Sequence, residues 1–135
     1  MVDITTAPWG ILVLRLALGA LFLAHGLRKL LVSKPAGVQG YFRSLGLPGW
    51  VGLLTMAAEI LGGAALLLGV WPRYVALALT PMMVGTIVLV HGKNGFVFDN
   101  KGGGWEYSAL WSVALVAVFL LGDGPFALCP SPNWF

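Results

Sequence analysis

Residues 50–70 read WVGLLTMAAEILGGAALLLGV, and this stretch decides the fold. As a helix it is long enough to cross the hydrocarbon core of a bilayer, which takes about 20 residues. Its only ionisable side chain is Glu59, near the middle of the stretch. A charge at that depth costs roughly 2.5–3.5 kcal/mol on insertion scales, so such groups usually face the interior of a bundle. The stretch therefore predicts a membrane helix with a polar site on its inner face.

Three further apolar segments flank this one along the chain. We predict helices at about 9–31, 49–70, 73–91 and 105–121, within a single domain that covers 1–135. Each segment must be helical, because lipid offers no hydrogen-bond partners to free backbone groups. The short turn at 69–73 makes the second and third helices antiparallel neighbours. We expect an all-α integral membrane four-helix bundle, antiparallel and up-down-up-down, with Gly19, Gly26, Gly62 and Gly63 at close helix contacts.

Composition excludes several classes of function. The chain is 59% hydrophobic and 10% charged, whereas soluble domains carry about 25% charged residues. Contact with membrane lipid is therefore expected, and 135 residues leave no room for an independent catalytic domain. No basic run is present that would bind nucleic acid. Cys129 is the only cysteine, so neither an internal disulfide nor a CxxC redox pair can form.

The distribution of cations predicts the orientation. Connections 32–48 and 92–104 lie on the same side of the bundle, and Arg73 is the lone cation at the opposite turn. Cytoplasmic loops carry an excess of Lys and Arg. We expect a multi-pass protein of the cell inner membrane, with both connections cytoplasmic and both termini outside. The cations on the side of the connections are Arg28, Lys29, Lys34, Arg43, Lys93 and Lys101.

The partner of Glu59 is the main question that the polar residues raise. Arg15, in the first apolar segment, is the predicted partner, because its long side chain can reach toward the middle of the membrane. At 100° per residue, Arg15, Phe22 and Lys29 fall on one stripe of the first helix. His25, His91 and Glu106 share a depth nearer the cytoplasmic side, and we expect them to form a second polar cluster there.

Three interpretations of these groups stay open. In the first, Arg15 and Glu59 form a buried pair that only fixes helix register. In the second, the groups line a pocket for an amphipathic ligand, either a quinone or a lipid headgroup, and histidine supplies a proton path because its charge changes near neutral pH. In the third, a weaker alternative, His25 and His91 hold a metal or haem iron. The candidate ligand-binding residues are Arg15, His25, Lys29, Glu59, His91 and Glu106.

Connection 92–104 reads GKNGFVFDNKGGG, and turn signals surround its short apolar centre. It lacks the Gly-Lys-Ser/Thr ending of a phosphate-binding loop. We expect a folded, hairpin-like flap over the cytoplasmic mouth of the bundle; the alternative is a simple connector. The tail from Gly122 contains three prolines and is expected to lie along the surface.

Three stretches of the chain resemble the DoxX family of small four-helix membrane proteins. They are RLALGALFLAHGLRKL at 15–30, EILGGAALLLG at 59–69 and HGKNGFVFDNKGGGWE at 91–106. Each motif alone is modest, but their order, their spacing and the number of helices agree over most of 11–121.

The resemblance implies a redox-linked membrane component. The family takes its name from the membrane subunit of a thiosulfate:quinone oxidoreductase, and other members look like partners of thiol-handling and oxidative-stress proteins. We expect a subunit or anchor of a redox system, with a quinone as a possible ligand and no intrinsic cofactor. Any electron transfer would need a protein partner, since the sequence has no flavin motif. The alternative is a non-catalytic accessory subunit of a larger membrane complex, with Trp111 and Phe119 as contacts.

Overall fold

The computed structural model describes Met1 and residues 3–133, and every regular element within them is a helix. A short π-helix, Lys29–Ser33, continues the helix Ala7–Arg28, and a second π-helix, Ile87–His91, continues the helix Pro72–Thr86. The all-α prediction is therefore confirmed. The α-helices are α1 (Ala7–Arg28), α2 (Lys34–Ser44), α3 (Gly49–Leu68), α4 (Pro72–Thr86) and α5 (Glu106–Leu121).

Three helical stretches within the described residues are long and apolar enough to cross a membrane. They are Ala7–Ser44, Gly49–Leu68 and Pro72–Asn94, whereas the apolar helix Glu106–Leu121 is shorter. Large apolar side chains remain exposed on the outer faces of the bundle, where lipid would cover them. They include Val13, Leu54, Leu61, Val88, Leu110, Val113 and Leu120.

Helix α2 lies inside the segment 32–48, which the sequence predicts to be a connection. Lys34 has φ 59° and ψ 157°, which breaks the path between the end of α1 and α2. Val38 and Phe42 are four residues apart and so share one face of α2. Both pack over Gly52 of α3, where an added Cβ would lie 3.0 Å from Val38 Cγ1 and 2.8 Å from Phe42 Cδ2. Helix α2 is therefore an amphipathic helix that packs on the first turns of α3.

The other four helices form a closed bundle, because α1 contacts α3, α3 contacts α4, α4 contacts α5, and α5 contacts α1. Glycines bring α1 and α3 together: a Cβ on Gly63 would lie 2.5 Å from the backbone nitrogen of Leu23. Gly62 turns instead toward Leu79 of α4. The prediction of close packing at small residues is confirmed at these positions. The buried core contains Leu18, Phe22, Leu66, Ala76, Leu79, Met83, Leu115 and Val118.

The tail, 122–133, folds over the end of the bundle where α3 turns into α4. Gly69 ends α3 with φ 73°. The backbone nitrogen of Trp71 donates to the oxygen of Cys129 at 2.8 Å, and the nitrogen of Cys129 donates to Gly69 at 3.0 Å. Tyr74 Oη donates to the oxygen of Pro132 at 2.7 Å. The tail is thus bonded to the bundle as well as lying along its surface.

Connection 92–104 forms a compact loop at the other end of the bundle. A turn of 3₁₀-helix, Gly92–Asn94, begins it. The side-chain amide of Asn94 donates to the oxygens of Gly102 and Gly103, each at 3.0 Å. The loop is folded, as expected, but turn and side-chain hydrogen bonds hold it together, and its described residues form no paired strands.

Candidate functional site

Glu59 forms an ion pair with Lys29, not with Arg15. Glu59 lies in the middle of α3 and is 7% exposed, and Lys29 begins the π-helical end of α1. Lys29 Nζ lies 2.6 Å from Glu59 Oε1. The other carboxylate oxygen, Oε2, is buried and has no hydrogen-bond partner among the described residues. The buried carboxylate is therefore only half satisfied, which is costly unless another group can reach it.

Gly26 makes this placement of Glu59 possible. A Cβ on Gly26 would lie 3.1 Å from Glu59 Cβ and 2.9 Å from the backbone nitrogen of Ile60. The backbones of α1 and α3 therefore touch at this level. Because Lys29 follows three residues after Gly26, it lies on nearly the same face of α1, and its side chain can reach the carboxylate.

A cavity of about 420 Å³ lies between the end of α1 and α2. Its wall combines cations, hydroxyl groups and apolar side chains, and Lys29 belongs both to this wall and to the ion pair. Such a wall suits an amphipathic ligand, because it offers donors at one side and apolar contacts at the other. The lining residues are His25, Arg28, Lys29, Ser33, Gly37, Val38, Tyr41 and Phe42.

His25 is held in one orientation at this wall. Its Nδ1 atom lies 2.9 Å from the oxygen of Leu21, and its ring packs edge-on against Trp111 with centroids 5.0 Å apart. A carbonyl oxygen only accepts, so Nδ1 donates and carries the hydrogen. Nε2 is then left for a ligand, as an acceptor in the neutral ring or as a donor in the charged ring.

Arg15 belongs to the opposite end of the bundle. It is 2% exposed, and its Nη1 and Nη2 donate to the backbone oxygens of Asp123 at 2.9 Å and Phe126 at 3.0 Å. The predicted Arg15–Glu59 pair is therefore wrong. Lys29, which does reach Glu59, lies 14 positions after Arg15, or about 21 Å at the helical rise. Arg15 finds its acceptors in the tail instead. Its Nε remains buried without a partner among the described residues.

The structure does not bring His91 and Glu106 together with His25. His91 Nδ1 lies 2.9 Å from the oxygen of Gly103. Glu106 Oε1 accepts from the backbone nitrogen of Phe98 at 3.1 Å. Neither residue lines the cavity, and no residue of 92–104 does so either. His91 and Glu106 hold the loop in shape, so the expected second polar cluster with His25 is not formed at this cavity, and the flap over the mouth of the bundle stays a prediction.

Among the described residues, no group of three or more His, Cys, Asp or Glu side chains is arranged to hold a metal ion. The two histidines use Nδ1 on separate backbone oxygens, one within α1 and one at the loop 92–104. His25 and His91 therefore have different hydrogen-bond partners, and these contacts give no support to the alternative of a two-histidine metal site.

Two residues of the cavity wall, Arg28 and Tyr41, were not predicted from the sequence, and neither was the inward position of Trp111. The sequence assigned Arg28 only to the cations that predict the orientation, yet it lines the cavity. Tyr41 lies on α2, which was not expected to be helical. Trp111 was a candidate outer contact, but its ring packs inward, 5.1 Å from Phe22 and 5.0 Å from His25. The i, i+4 spacing of Val38 and Phe42 was the available signal for α2.

Comparison with known proteins places these residues in a family. The DoxX family model matches residues 10–92, which include both partners of the ion pair. The chain is 31% identical over 124 residues to “Putative oxidoreductase CatD” of Bacillus subtilis, covering 90% of this chain and 85% of that one. It is 30% identical over 126 residues to “Uncharacterized membrane protein Rv3486” of Mycobacterium tuberculosis, covering 87% and 77%. No solved structure is significantly similar to it.

Proposed function

Because the chain belongs to the DoxX family of membrane proteins, we propose that it is a membrane component of a redox system and binds a quinone head beside Lys29 and Glu59. The observation that carries this proposal is the buried ion pair next to the cavity. Glu59 Oε2 has no hydrogen-bond partner within the part of the chain that the structure describes, and Lys29 is shared between the carboxylate and the cavity wall. Intramembrane ionisable groups often mark proton paths.

The residues of the cavity fit the needs of a quinone. A bound quinone would supply reversible two-electron, two-proton redox chemistry. Lys29 would donate a hydrogen bond to one quinone oxygen, and the Nε2 atom of the neutral His25 ring would accept one from a hydroxyl of the reduced quinol. Glu59 would hold or release a proton at Oε2, and Val38 and Phe42 would cover the apolar ring. An isoprenoid tail would leave the cavity past these apolar side chains toward lipid.

A protein partner would supply the electrons. The chain has one cysteine and no CxxC pair, so an oxidoreductase reaction would use a redox group on another subunit. The name of the Bacillus subtilis relative, an oxidoreductase, supports a redox role for this chain. On this proposal the bundle contributes the membrane anchor and the quinone-side half of the reaction.

The proposed location is the inner membrane, with the cavity on the cytoplasmic side. Both the loop 92–104 and α2 lie at the end of the bundle that carries Lys34, Arg43 and Lys101. The opposite end, at the turn between α3 and α4, carries Arg73. By the positive-inside rule, the end with more cations faces the cytoplasm, and both termini lie outside.

The test is purification in a gentle detergent, followed by organic extraction of bound quinone. We expect near-stoichiometric quinone with the wild type and a loss of at least tenfold with Glu59→Gln. His25→Gln, which leaves the ion pair intact, should also lower the amount. Glu106→Gln is the matched control, because this carboxylate binds the Phe98 backbone and lies outside the cavity. Equal quinone content in E59Q and E106Q would refute the quinone site.

The second candidate function is a non-catalytic accessory subunit of a larger membrane complex. The observation in its favour is the apolar outer face of α5, where Leu110, Val113 and Leu120 are exposed. On this reading Glu59→Gln would alter stability or assembly alone. A defined large complex without quinone on the wild-type chain would favour this function over the first.

A further inference from the structure

Helix α5 is too short to cross a bilayer without help from its neighbours in sequence. It has 16 residues, or about 24 Å at 1.5 Å per residue, against a hydrocarbon core of about 30 Å. At its carboxyl end, Gly122 has φ 89° and the chain turns into the tail that Arg15 holds. The missing apolar length must therefore come from the amino end, before Glu106.

The loop segment 95–98 is fixed to that amino end. The backbone nitrogens of Trp105 and Glu106 donate to the oxygens of Gly95 at 3.1 Å and Phe96 at 3.0 Å. In return, the carboxylate of Glu106 accepts from the backbone nitrogen of Phe98. These bonds use amides at the start of a helix, which have no partner within the helix itself. The loop segment therefore moves with α5 as one unit.

The side chains of this segment are apolar and face outward. Phe96, Val97 and Phe98 are 54%, 47% and 51% exposed. Phe96 packs on Trp105 with ring centroids 4.8 Å apart, and Phe98 packs on Tyr107 at 5.2 Å. Three consecutive exposed apolar residues are unfavourable in water, and a patch of this kind marks a surface that something covers.

The apolar surface of the segment continues into the exposed apolar side of α5. Phe98, Tyr107 and Leu110 line one shallow depression of about 360 Å³, together with Glu106. Leu110 is 64% exposed on the same helix as the exposed Val113. The loop therefore extends the exposed apolar surface of α5. Two exposed lysines, Lys93 and Lys101, flank the segment on either side.

We propose that segment 96–98 lies in the interfacial layer of the bilayer and completes the membrane span of α5. Aromatic side chains concentrate at that depth. The ammonium groups of Lys93 and Lys101 would lie on the water side of the segment, at the level of the lipid phosphates. This surface lies apart from the cavity of α1 and α2, and the inference is independent of the proposed redox function.

The test is the depth of a nitroxide label at Val97→Cys in a chain that also carries Cys129→Ser. The labelled chain is placed at one copy per nanodisc of phosphatidylcholine and phosphatidylglycerol, and its collisions with oxygen and with a water-soluble nickel chelate are compared. Leu110→Cys is the lipid-facing control and Lys101→Cys the water-facing control. We expect the nickel accessibility at position 97 to be several-fold below that at 101 and close to that at 110.

Nickel accessibility at position 97 equal to that at 101 would overturn the proposal. Protection that appears only when two copies share a nanodisc would also overturn it, because a second copy would then cover the segment. A label at Phe98→Cys gives a second reading, and it should be protected in the same way if the first substitution disturbs the loop.

Discussion

Lys29 and Glu59 join α1 to α3 at the level where the two backbones touch, with Nζ of the lysine 2.6 Å from Oε1 of the glutamate. Gly26, one turn before Lys29, removes the side chain that would otherwise separate the helices. The Lys29–Glu59 ion pair thus depends on the close approach of α1 and α3 at Gly26. Among the described residues, Glu59 Oε2 is the only buried carboxylate oxygen without a partner, and its paired lysine lines the cavity.

Removal of one member of the pair is expected to be worse than removal of both. Lys29→Met leaves a buried carboxylate without a cation and should lower the free energy of unfolding by about 2 kcal/mol, less than in fully buried pairs, because the lysine side chain is 29% exposed. The double variant Lys29→Met/Glu59→Gln should recover at least half of this loss. Thermal unfolding in detergent measures both. Additive losses in the double variant would show that the pair is not coupled.

Gly63→Ala should destabilise the bundle by about 1–3 kcal/mol, the usual cost of overpacking. Its Cβ would lie 2.5 Å from the backbone nitrogen of Leu23 and 2.8 Å from the oxygen of Gly19, and backbone cannot move aside as a side chain can. Gly85→Ala is the control, since its Cβ meets nothing within 4 Å. That control should be neutral or raise the midpoint of thermal unfolding slightly, as alanine favours helix.

Arg15→Met should loosen the tail without unfolding the bundle. It removes two hydrogen bonds from a charged donor to Asp123 and Phe126, and such bonds contribute roughly 1.5–3 kcal/mol each. Hydrogen exchange at the amides of Leu128 and Cys129 should become at least tenfold faster, while core amides of α3 keep their rates. Arg28→Met, at the other end of α1, is the control. Unchanged exchange in the tail would contradict the role given to Arg15.

Lys34→Gly should stabilise the protein by about 1 kcal/mol. Lys34 has φ 59° and ψ 157°, a backbone region that glycine adopts readily and other residues adopt only under strain. Lys34→Ala removes the same charge but keeps a Cβ, so it serves as the matched control. The midpoint of thermal unfolding should rise for the glycine variant alone. An equal rise for both would assign the effect to charge instead.

The membrane helices could be predicted from the sequence because each one depends on the length and apolar character of its own segment. Each apolar segment must satisfy its own backbone in lipid, so the lengths of 9–31 and 49–70 already implied helices there. Gly19 and Gly63 predicted close helix packing for a similar reason, because only a missing side chain allows two backbones to touch. Helix α2 was missed, because Gly37 and Gly40 weaken its pattern and its apolar face is only two residues wide.

The sequence by itself determined that Glu59 is buried in a membrane bundle and that Arg15 and Lys29 share one stripe of α1. Only the tertiary structure decided which of the two cations it meets. Depth along a helix places Glu59 between them, and both have long side chains. The tail 122–133 resolves the choice, since its carbonyls bind Arg15 at the far end, while Gly26 brings α3 close enough for Lys29. Those contacts join residues up to 111 positions apart, and no local pattern encodes such a pairing.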